Sequence, residues 1–412
     1  MSVLGFDEAL AVVLEHARGL GAPPLIEVVA LKDAVGRVIA EPVRADRDQP
    51  PFDRSTRDGF AVRSGSFASG ATLRVMGEVR AGERWSGGRV GEGEAVKIMT
   101  GAPLPTGADA VAMVEFVEVV GEGIRTVAGR GLARFENVVL RGSEARAGYV
   151  VMAAGTVVGA AEIGLAATCG RAELTVYRRP MVAVIATGDE LVEVGSGRAL
   201  EEEEIWNSNG HALRALVHGS GGFGGKLAIA RDTLEDVTER VLQGRAWDLM
   251  ILSGGVSMGE YDLVEEVLAG LGAEFFFTGV KMQPGKPVVF GRLPERDGAK
   301  ACYFFGLPGN PVSTQVTFHC FVEPFLKAMA GGVVEGPLFV QAALREAVPG
   351  STGRMRFLPA RLGRDRVGPS VTLVGWQGSG DMAANARANC YAVLPQREGE
   401  FAAGEVISVL LR

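Results

Sequence analysis

Short apolar runs and longer amphipathic stretches alternate through the middle of the chain. Residues 182–186 and 248–252 are apolar runs of strand length, and residues 209–217, 234–243 and 263–271 have apolar positions at helical spacing. Strands that are apolar on both faces and separated by helices are typical of a parallel sheet with helices on both sides. The pattern predicts a central doubly wound α/β domain, whose ligands bind beyond the carboxyl ends of the strands.

The two ends of the chain have different patterns. Residues 6–20 have helical spacing, residues 31–40 are predicted as a second short helix, and residues 43–148 have short apolar runs, many glycines and no helical period. Residues 160–167 are helical again, whereas the chain after residue 332 returns to short strands and turns. We predict four domains: a helical domain of residues 1–42 and 149–179, an inserted β domain of residues 43–148, the α/β domain of residues 180–331, and a C-terminal β domain of residues 332–412.

Composition and charge narrow the class of protein. A chain of 412 residues is too long for one core, and a net charge of −7 argues against the basic surface that non-specific nucleic-acid binding requires. The four cysteines and four histidines lack the spacing of zinc ligands, and the cysteines lie in apolar stretches typical of reduced core residues. No apolar run reaches membrane-spanning length, and the first residues do not resemble a secretion signal. A cytoplasmic enzyme, with no membrane or nucleic-acid partner, is expected.

Three glycine-rich loops lie in the predicted α/β domain, at residues 252–262, 283–287 and 306–313. The first and the third each open a predicted helix. Glycines let the backbone approach a ligand closely, and the free N–H groups and the dipole of a helix start favour negative charge. Together with Lys286 and several carboxylates, these loops predict a phosphorylated substrate and a divalent metal.

The first loop carries the strongest of these signals. Its N–H groups can hold phosphate, Ser257 can donate a hydrogen bond, and Glu260 and Asp262 can bind a metal directly or through water. Serine and acidic residues also occur at helix N-termini for capping alone. Two consecutive glycines and a third further on exceed what a cap needs, which favours the functional interpretation.

Two further features, the acidic pair Asp189-Glu190 and the lysine Lys286, are informative only together with the residues around them. Asp189 and Glu190 follow a predicted strand, where acidic residues are common. In a cleft shared with Glu260 and Asp262, they become candidates for metal binding or acid–base chemistry. Lys286 lies between a glycine and a proline, where it can neutralise an oxyanion or be an ordinary surface lysine.

Six motifs, taken in order along the chain, resemble those of one family. They are Ser55-Thr56-Arg57-Asp58-Gly59-Phe60-Ala61, Thr100-Gly101-Ala102-Pro103, Thr187-Gly188-Asp189-Glu190-Leu191, Ser253-Gly254-Gly255-Val256-Ser257, Pro284-Gly285-Lys286-Pro287 and Gly306-Leu307-Pro308-Gly309-Asn310-Pro311. This set resembles the MoeA family of molybdopterin molybdenumtransferases, to which the E domain of gephyrin is similar. The resemblance spans nearly the whole chain.

The resemblance implies a reaction, a fold and an assembly. Members of the family insert molybdenum from molybdate into adenylylated molybdopterin and release AMP, with Mg²⁺ as cofactor. The implied fold is multidomain α/β and β, with a central α/β domain similar to the molybdopterin adenylyltransferase, a helical domain with an inserted β domain, and a C-terminal β-barrel-like domain. A homodimer is also implied, and the resemblance suggests the adenylyltransferase and apo-molybdoenzymes as partners.

Matching the motifs position by position implies site residues. The implied catalytic residues are Asp58 and Thr100, which the resemblance places across the dimer, with Asp189, Glu190 and Lys286. The implied substrate-binding residues are Ser253, Gly254, Gly255, Ser257, Asp232, Pro308, Gly309, Asn310, Arg354 and Ser379. The implied metal ligands are Glu190, Glu260 and Asp262. Because the substrate and molybdate are both anions, cations and backbone N–H groups at this cleft suit the reaction.

The sequence also departs from the family pattern. Arg57 replaces a usual methionine, and Glu144 and Glu260 replace aspartates. Gln283 replaces a frequent lysine and so removes a positive charge from the implied anion site, for which Lys281 can compensate.

Three alternatives stay open: a tungstate-specific paralogue, a nucleotide-dependent adenylyltransferase, and a non-catalytic molybdopterin-binding scaffold. The flanking domains count against the adenylyltransferase, because that enzyme needs only the α/β domain. The joint presence of the implied catalytic residues counts against the scaffold. No motif separates molybdate from tungstate, since the two anions have nearly the same size and charge.

Overall fold

The computed structural model describes residues 3–21, 25–67, 70–127, 131–254, 263–296, 298–363 and 368–412. Its centre is a six-stranded sheet, here called the central sheet. In spatial order its strands are Phe223–Lys226, Met181–Ala186, Leu249–Ser253, Cys302–Leu307, Val289–Leu293 and Glu274–Phe277. The first four strands are parallel, and the last two are added through antiparallel pairings. The predicted parallel sheet is confirmed, with an antiparallel edge.

Helices cover both faces of the central sheet. One face packs on Phe6–Arg18, Ser208–Gly219 and a continuous helical segment made of Pro311–Thr317, the π-helical turn Phe318–Val322 and Glu323–Met329. The other face packs on Leu234–Gly244 and Leu263–Gly270. Along the strand Leu249–Ser253, Ile251 belongs to the first core and Met250 to the second. This two-sided burial explains why the strand is apolar throughout.

The N-terminal helix Phe6–Arg18 is part of the core of the central domain. The Phe6 ring lies 5.6 Å from the Phe321 ring of the long helical segment and 5.2 Å from the Phe357 ring of the C-terminal domain. The same helix therefore contacts two domains that are distant in sequence.

The prediction of a second helix at residues 31–40 is wrong. Only Leu31–Asp33 forms a short 3₁₀ turn. The preceding segment Ile26–Ala30 pairs as a strand with Glu173–Tyr177, and Gly36 turns the chain at a φ of 75°. A positive φ is incompatible with a continuing right-handed helix, which explains the error.

The segment between the N-terminal unit and the helix Ala160–Thr168 is built of strands. Its sheet, here called the insert sheet, has six strands: Ala110–Met113, Gly59–Val62, Glu94–Ile98, Thr72–Val79, Gly123–Thr126 and Val117–Val120. Shorter pairings join Val43–Arg44 to Val150–Met152 and Arg54–Ser55 to Val138–Val139. The inserted β architecture is confirmed, and we keep the domain limits given above as a proposal.

The C-terminal region contains a closed five-stranded barrel. Its strands are Phe339–Leu344, Met355–Leu362, Ser370–Leu373, Cys390–Leu394 and Val406–Leu411, and pairing between the second and fourth closes the ring. The helix Met382–Arg387 and the paired strands Val348–Ser351 and Arg397–Phe401 are added to it. Met282–Gln283 of the α/β domain also pairs with the barrel. Within the described ranges, no helix is both long and apolar enough to cross a membrane.

Candidate active site

A cavity of about 670 Å³ lies at the carboxyl ends of the parallel strands of the central sheet, and it is here called the cleft. The topology of the sheet explains its position, because the loops after these strands meet at one edge. Its lining includes eight positions implied by the motifs or directly beside them: Gly188, Glu190, Asp232, Ser253, Gly254, Pro308, Gly309 and Asn310. The fold therefore brings together residues that are more than a hundred positions apart in the sequence.

Two glycines let the loops of the cleft approach each other. Gly254 has a φ of 97°, and a Cβ atom on it would lie 2.4 Å from the carbonyl oxygen of Thr187. A Cβ on Gly309 would lie 3.6 Å from the Cα of Gly254, so the first and third glycine loops are in contact. A side chain at position 254 would force these loops apart, which gives the glycine there a structural reason.

The third loop is held rigid by the helix that follows it. Asn310 precedes this helix and Pro311 opens it, which suits proline because the first helical N–H needs no partner. The hydroxyl of Thr314 donates to the carbonyl oxygens of Pro308, at 2.5 Å, and Asn310, at 3.0 Å. The loop thus presents its exposed residues, Gly309 and Asn310, to the cleft from a fixed backbone.

Sequence reasoning missed Asn209, which ties the first and third loops together. Its side-chain nitrogen donates to the hydroxyl oxygen of Ser253, at 2.9 Å, and to the carbonyl oxygen of Gly309, at 2.7 Å. Its side-chain oxygen is buried without a hydrogen-bond partner among the described residues. A signal was available, because residues 207–209 are all short and polar although Asn207 alone caps the helix, accepting from the N–H of Gly210 at 2.9 Å.

Two apolar side chains at the mouth of the cleft were also missed. Ile205 and Trp206 line it, and 40% of the Trp206 surface is exposed. They form a short strand that pairs with Leu191–Val192, directly after Glu190. Sequence offered little warning, because the pair follows an acidic run that is typical of a solvated loop.

Carboxylates give one side of the cleft a negative charge. The backbone N–H of Asp232 donates to Oδ1 of Asp189 at 3.2 Å. Partial burial, and then the charge of Asp189, raise the pKa of the Asp232 carboxyl. Glu190 is exposed and lines the cleft. An anionic substrate can approach these groups only with a compensating cation or with N–H donors.

The predicted metal ligands are only partly covered by the structure. Glu260 and Asp262 lie outside the described residues, as do Gly255 and Ser257 of the implied substrate site. Among the described residues, no group of three or more histidine, cysteine, aspartate or glutamate side chains could hold a metal ion. Glu190 alone of the implied ligands is therefore placed at the cleft. Its carboxylate oxygens are donors of the kind that Mg²⁺ prefers, and Mg²⁺ commonly binds one or two carboxylates plus phosphate.

The Pro-Gly-Lys-Pro loop borders the cleft through Pro287. Its backbone is fixed, because the carbonyl oxygen of Lys286 accepts from the N–H groups of Val280, at 2.9 Å, and Val288, at 3.0 Å. Gly285 has a φ of 105°, and a Cβ there would lie 2.4 Å from the Thr317 side chain. Lys286 is half-buried and has no carboxylate partner in the described part of the chain. Lys286 is the neighbour in sequence of Pro287, which lines the cleft.

The C-terminal domain also contributes to the cleft wall, through Gly380 and Met382. The carbonyl oxygen of Ser379 accepts from the N–H of Val312 at 2.9 Å, so this predicted residue lies at the start of the helix after the third loop. Arg354 is half-buried and precedes the barrel strand that pairs with Met282–Gln283, but it does not line the cleft.

Asp58 and Thr100 lie together in the inserted domain and do not line the cleft. Oδ1 of Asp58 accepts from the backbone N–H of Thr100, at 2.7 Å, and from its hydroxyl, at 2.8 Å. These two hydrogen bonds, the backbone one first, lower the pKa of the Asp58 carboxyl. Both residues are exposed.

Comparison with known proteins covers the chain almost from end to end. Residues 4–170 match the MoeA N-terminal region (domain I and II), residues 183–328 a probable molybdopterin binding domain, and residues 341–411 the MoeA C-terminal region (domain IV). Among curated relatives, the molybdopterin molybdenumtransferase of Staphylococcus aureus (strain Mu50) is 37% identical over 390 residues, covering 93% of this chain and 90% of its own. That of Staphylococcus epidermidis (strain RP62A) is 34% identical over 389 residues, with the same coverage.

Solved structures of similar proteins have the same fold. A molybdopterin biosynthesis MoeA protein from Pyrococcus horikoshii is 32% identical with a TM-score of 0.74, and it covers 100% of this chain and 99% of its own. A second structure from the OT3 strain of that organism is 26% identical with a TM-score of 0.78, and it covers 100% of both chains. The chain therefore belongs to the MoeA family of molybdopterin molybdenumtransferases, and it is a transferase of molybdenum cofactor biosynthesis.

Proposed function

We propose that this enzyme inserts molybdate into adenylylated molybdopterin and releases AMP in a Mg²⁺-dependent reaction. The observation that carries the proposal is the convergence of two glycine loops, through Gly254 and Gly309, with Glu190 and Asp232 at one cleft. This cleft combines a phosphate cradle with carboxylates, which is what a substrate containing a phosphoanhydride requires.

The chemistry divides into two bond exchanges. Water cleaves the phosphoanhydride, AMP leaves, and the molybdopterin keeps its own phosphate. The two dithiolene sulfurs bind the molybdenum of molybdate, and one molybdate oxygen leaves as water with the two thiol protons. Neither exchange needs a protein nucleophile, so the protein acts by positioning its substrates and by electrostatics.

The described residues have distinct parts in this proposal. The backbone around Gly254 and Gly309 holds the phosphates, and Asn209 keeps the two loops at a fixed separation. The half-buried Lys286 attracts the second anion, molybdate, toward the first. Asn310 offers a polar side chain to the substrate from the start of a rigid helix.

Carboxylates complete the proposed site. Glu190 would hold Mg²⁺. Glu260 and Asp262, which belong to the first glycine-rich loop, are the other proposed ligands. When bound, the ion supplies positive charge at the phosphoanhydride. Asp189 then orients water and accepts its proton, and Asp232 beside it contributes to the substrate-binding surface.

The proposed assembly is a homodimer in which Asp58 and Thr100 of one subunit complete the cleft of the other. What supports this arrangement is that the pair is exposed, is hydrogen-bonded into a fixed geometry, and does not line the cleft of its own chain. We further propose a cytoplasmic location, a molybdopterin adenylyltransferase as the source of substrate, and apo-molybdoenzymes as recipients of the product.

The test is AMP release from adenylylated molybdopterin by the purified protein with Mg²⁺ and either molybdate or tungstate. We expect release that depends on molybdate and on Mg²⁺, with formation of active molybdenum cofactor. Dependence on tungstate alone would change the metal and keep the site. Tight binding without turnover under either anion would overturn the proposal in favour of a scaffold.

A further inference from the structure

The cleft wall is shared between two domains, because Gly380 and Met382 come from the C-terminal domain. The opposite wall comes from the loops of the central sheet. The loop of residues 378–382, here called the roof loop, is hydrogen-bonded to the start of the helix Pro311–Thr317 beside the cleft.

Apolar packing and the strand pairing of Met282–Gln283 with the barrel hold these domains together, but neither contact includes the roof loop. Phe357 and Tyr391 of the barrel share one core with Phe6 and Phe321 of the central domain. Hydrophobic contacts of this kind are strong and non-directional. Directional contacts, such as hydrogen bonds, are needed to fix the position of the roof loop relative to the central domain.

A chain of amide hydrogen bonds supplies that direction. The side-chain oxygen of Gln315 accepts from Nδ2 of Asn385 at 2.9 Å, and the Gln315 nitrogen donates to the sulfur of Met382 at 3.5 Å. The Asn385 oxygen in turn accepts from the hydroxyl of Tyr391 at 2.9 Å. Beside this chain, the N–H of Val312 donates to the carbonyl oxygen of Ser379 at 2.9 Å.

Burial makes these hydrogen bonds consequential. Asn385 is 1% exposed and Tyr391 is fully buried, so their polar groups depend on partners within the protein, whereas Gln315 is half-buried. Buried polar networks that are fully paired favour one arrangement of the elements that they join. Gln315 is the single side chain of this network that belongs to the central domain, and it contacts Met382 and Asn385 of the helix Met382–Arg387.

We propose that Gln315 and Asn385 are positioning residues, forming an interdomain clamp that sets the height of the roof loop above the cleft and thereby the affinity for substrate. The clamp contacts no reacting atom, so it acts on binding and leaves the chemical step unchanged. The inference rests on the proposed function for its substrate, but its structural part can be tested without turnover.

The kinetic test compares Gln315→Leu, Asn385→Leu and the double variant in steady-state assays with adenylylated molybdopterin. We expect each single variant to raise KM about tenfold with kcat within about twofold, because uniform binding is lost. The effect of the double variant should be smaller than the sum of the two single effects, since both changes break the bond between Gln315 and Asn385 and each also breaks one bond of its own. Gln341→Leu is the matched control, because it removes an exposed amide bond to Ser408 elsewhere on the barrel.

Hydrogen exchange supplies a readout that is independent of activity. In the Gln315 and Asn385 variants, the amides of residues 377–384 and of Val312 should exchange faster than in the wild type, and those of the barrel strand Val406–Leu411 should not. Exchange that accelerates across the whole barrel, unchanged KM, or additive effects in the double variant would each overturn the clamp. Absence of molybdate-dependent AMP release in the wild type would instead overturn the proposed function. The hydrogen-exchange result would then still test the clamp by itself.

Discussion

The cleft and the Asp58–Thr100 pair are two regions with implied catalytic residues, and they are built in opposite ways. In the cleft, residues from seven separate segments of the described chain line one cavity. In the inserted domain, Asp58 satisfies the backbone N–H and the hydroxyl of a single neighbour, and the pair faces outward. The proposed homodimer accounts for this difference, because it would give the pair a second surface that carries a cleft.

The strand topology explains this difference. Parallel strands carry their following loops to one edge of the sheet, so functional residues converge there without further help. Gly59–Val62 and Glu94–Ile98 are antiparallel neighbours, which brings Asp58 and Thr100 together at the ends of adjacent strands. An exposed, rigid pair on an insert is suited to reach into another subunit.

Glu190→Gln should have the largest effect in the cleft. The substitution keeps the shape of the side chain and removes the charge proposed to hold Mg²⁺, so we expect AMP release to fall by about 1,000-fold with an unchanged fold. Turnover and circular dichroism measure the two parts. Glu202→Gln, an exposed carboxylate on the following loop, should retain full activity. Activity close to wild type in Glu190→Gln would remove this residue from the site.

Asp58→Asn should have the next largest effect and tests the other region. The asparagine oxygen can still accept both hydrogen bonds from Thr100, so the turn should persist while the charge is lost. We expect about a 100-fold loss of turnover with little change in Tm. Asp33→Asn, an exposed aspartate elsewhere, is the control. A variant that turns over normally would show that the pair is only a structural turn.

Lys286→Met should weaken the response to molybdate more than the response to the pterin substrate. The change removes a half-buried cation beside the cleft and keeps the apolar stem. We expect the KM for molybdate to rise about tenfold, because one charge-assisted contact is lost. The same change at the exposed Lys281 should have a smaller effect. Equal effects at both positions would indicate that the two lysines act through the general electrostatic field of the protein, and that Lys286 makes no specific contact with the anion.

Asp232→Asn should have the smallest of these effects, which is a small change in the thermal stability of the protein. Because the native state raises the pKa of this carboxyl, it binds the proton more tightly than the unfolded chain does, and ionisation costs stability as pH rises above the ordinary aspartate value of 3.8. The variant should therefore melt about 1 °C higher than the wild type at neutral pH, with the gain fading as the pH falls toward that value. Thermal unfolding across this range measures it, with Glu235→Gln as control. A gain that persists in acid would contradict the electrostatic cause.

The sequence predicted the edge of the central sheet well, for a physical reason. Apolar runs locate parallel strands, and the residues just after them, such as Asp189 and Gly254, then lie at a known edge. Asn209 and Trp206 were missed because their roles depend on contacts across the fold and not on local pattern. The helix predicted at residues 31–40 failed because strand pairing and a positive φ at Gly36 override its apolar spacing.

The pairing of Asp58 with Thr100 lay beyond pattern reasoning. Nothing in either segment distinguishes it from an ordinary turn, and only the ordered set of motifs singled it out. The clamp between Gln315 and Asn385 was equally invisible, because an amide in a helix gains meaning only when a second domain is placed against it. Interdomain contacts are therefore the part of this site that sequence patterns convey least.

In the proposed homodimer, the cleft and the Asp58–Thr100 pair are halves of one active site. The direct test mixes Asp58→Asn and Glu190→Gln subunits, after dissociation and reassociation, and measures molybdate-dependent AMP release. Each mixed dimer then contains one intact site and one doubly altered site. With random pairing we expect recovery of about a quarter of the wild-type activity. Mixtures that stay as inactive as either parent, although mixed dimers have formed, would contradict the shared site.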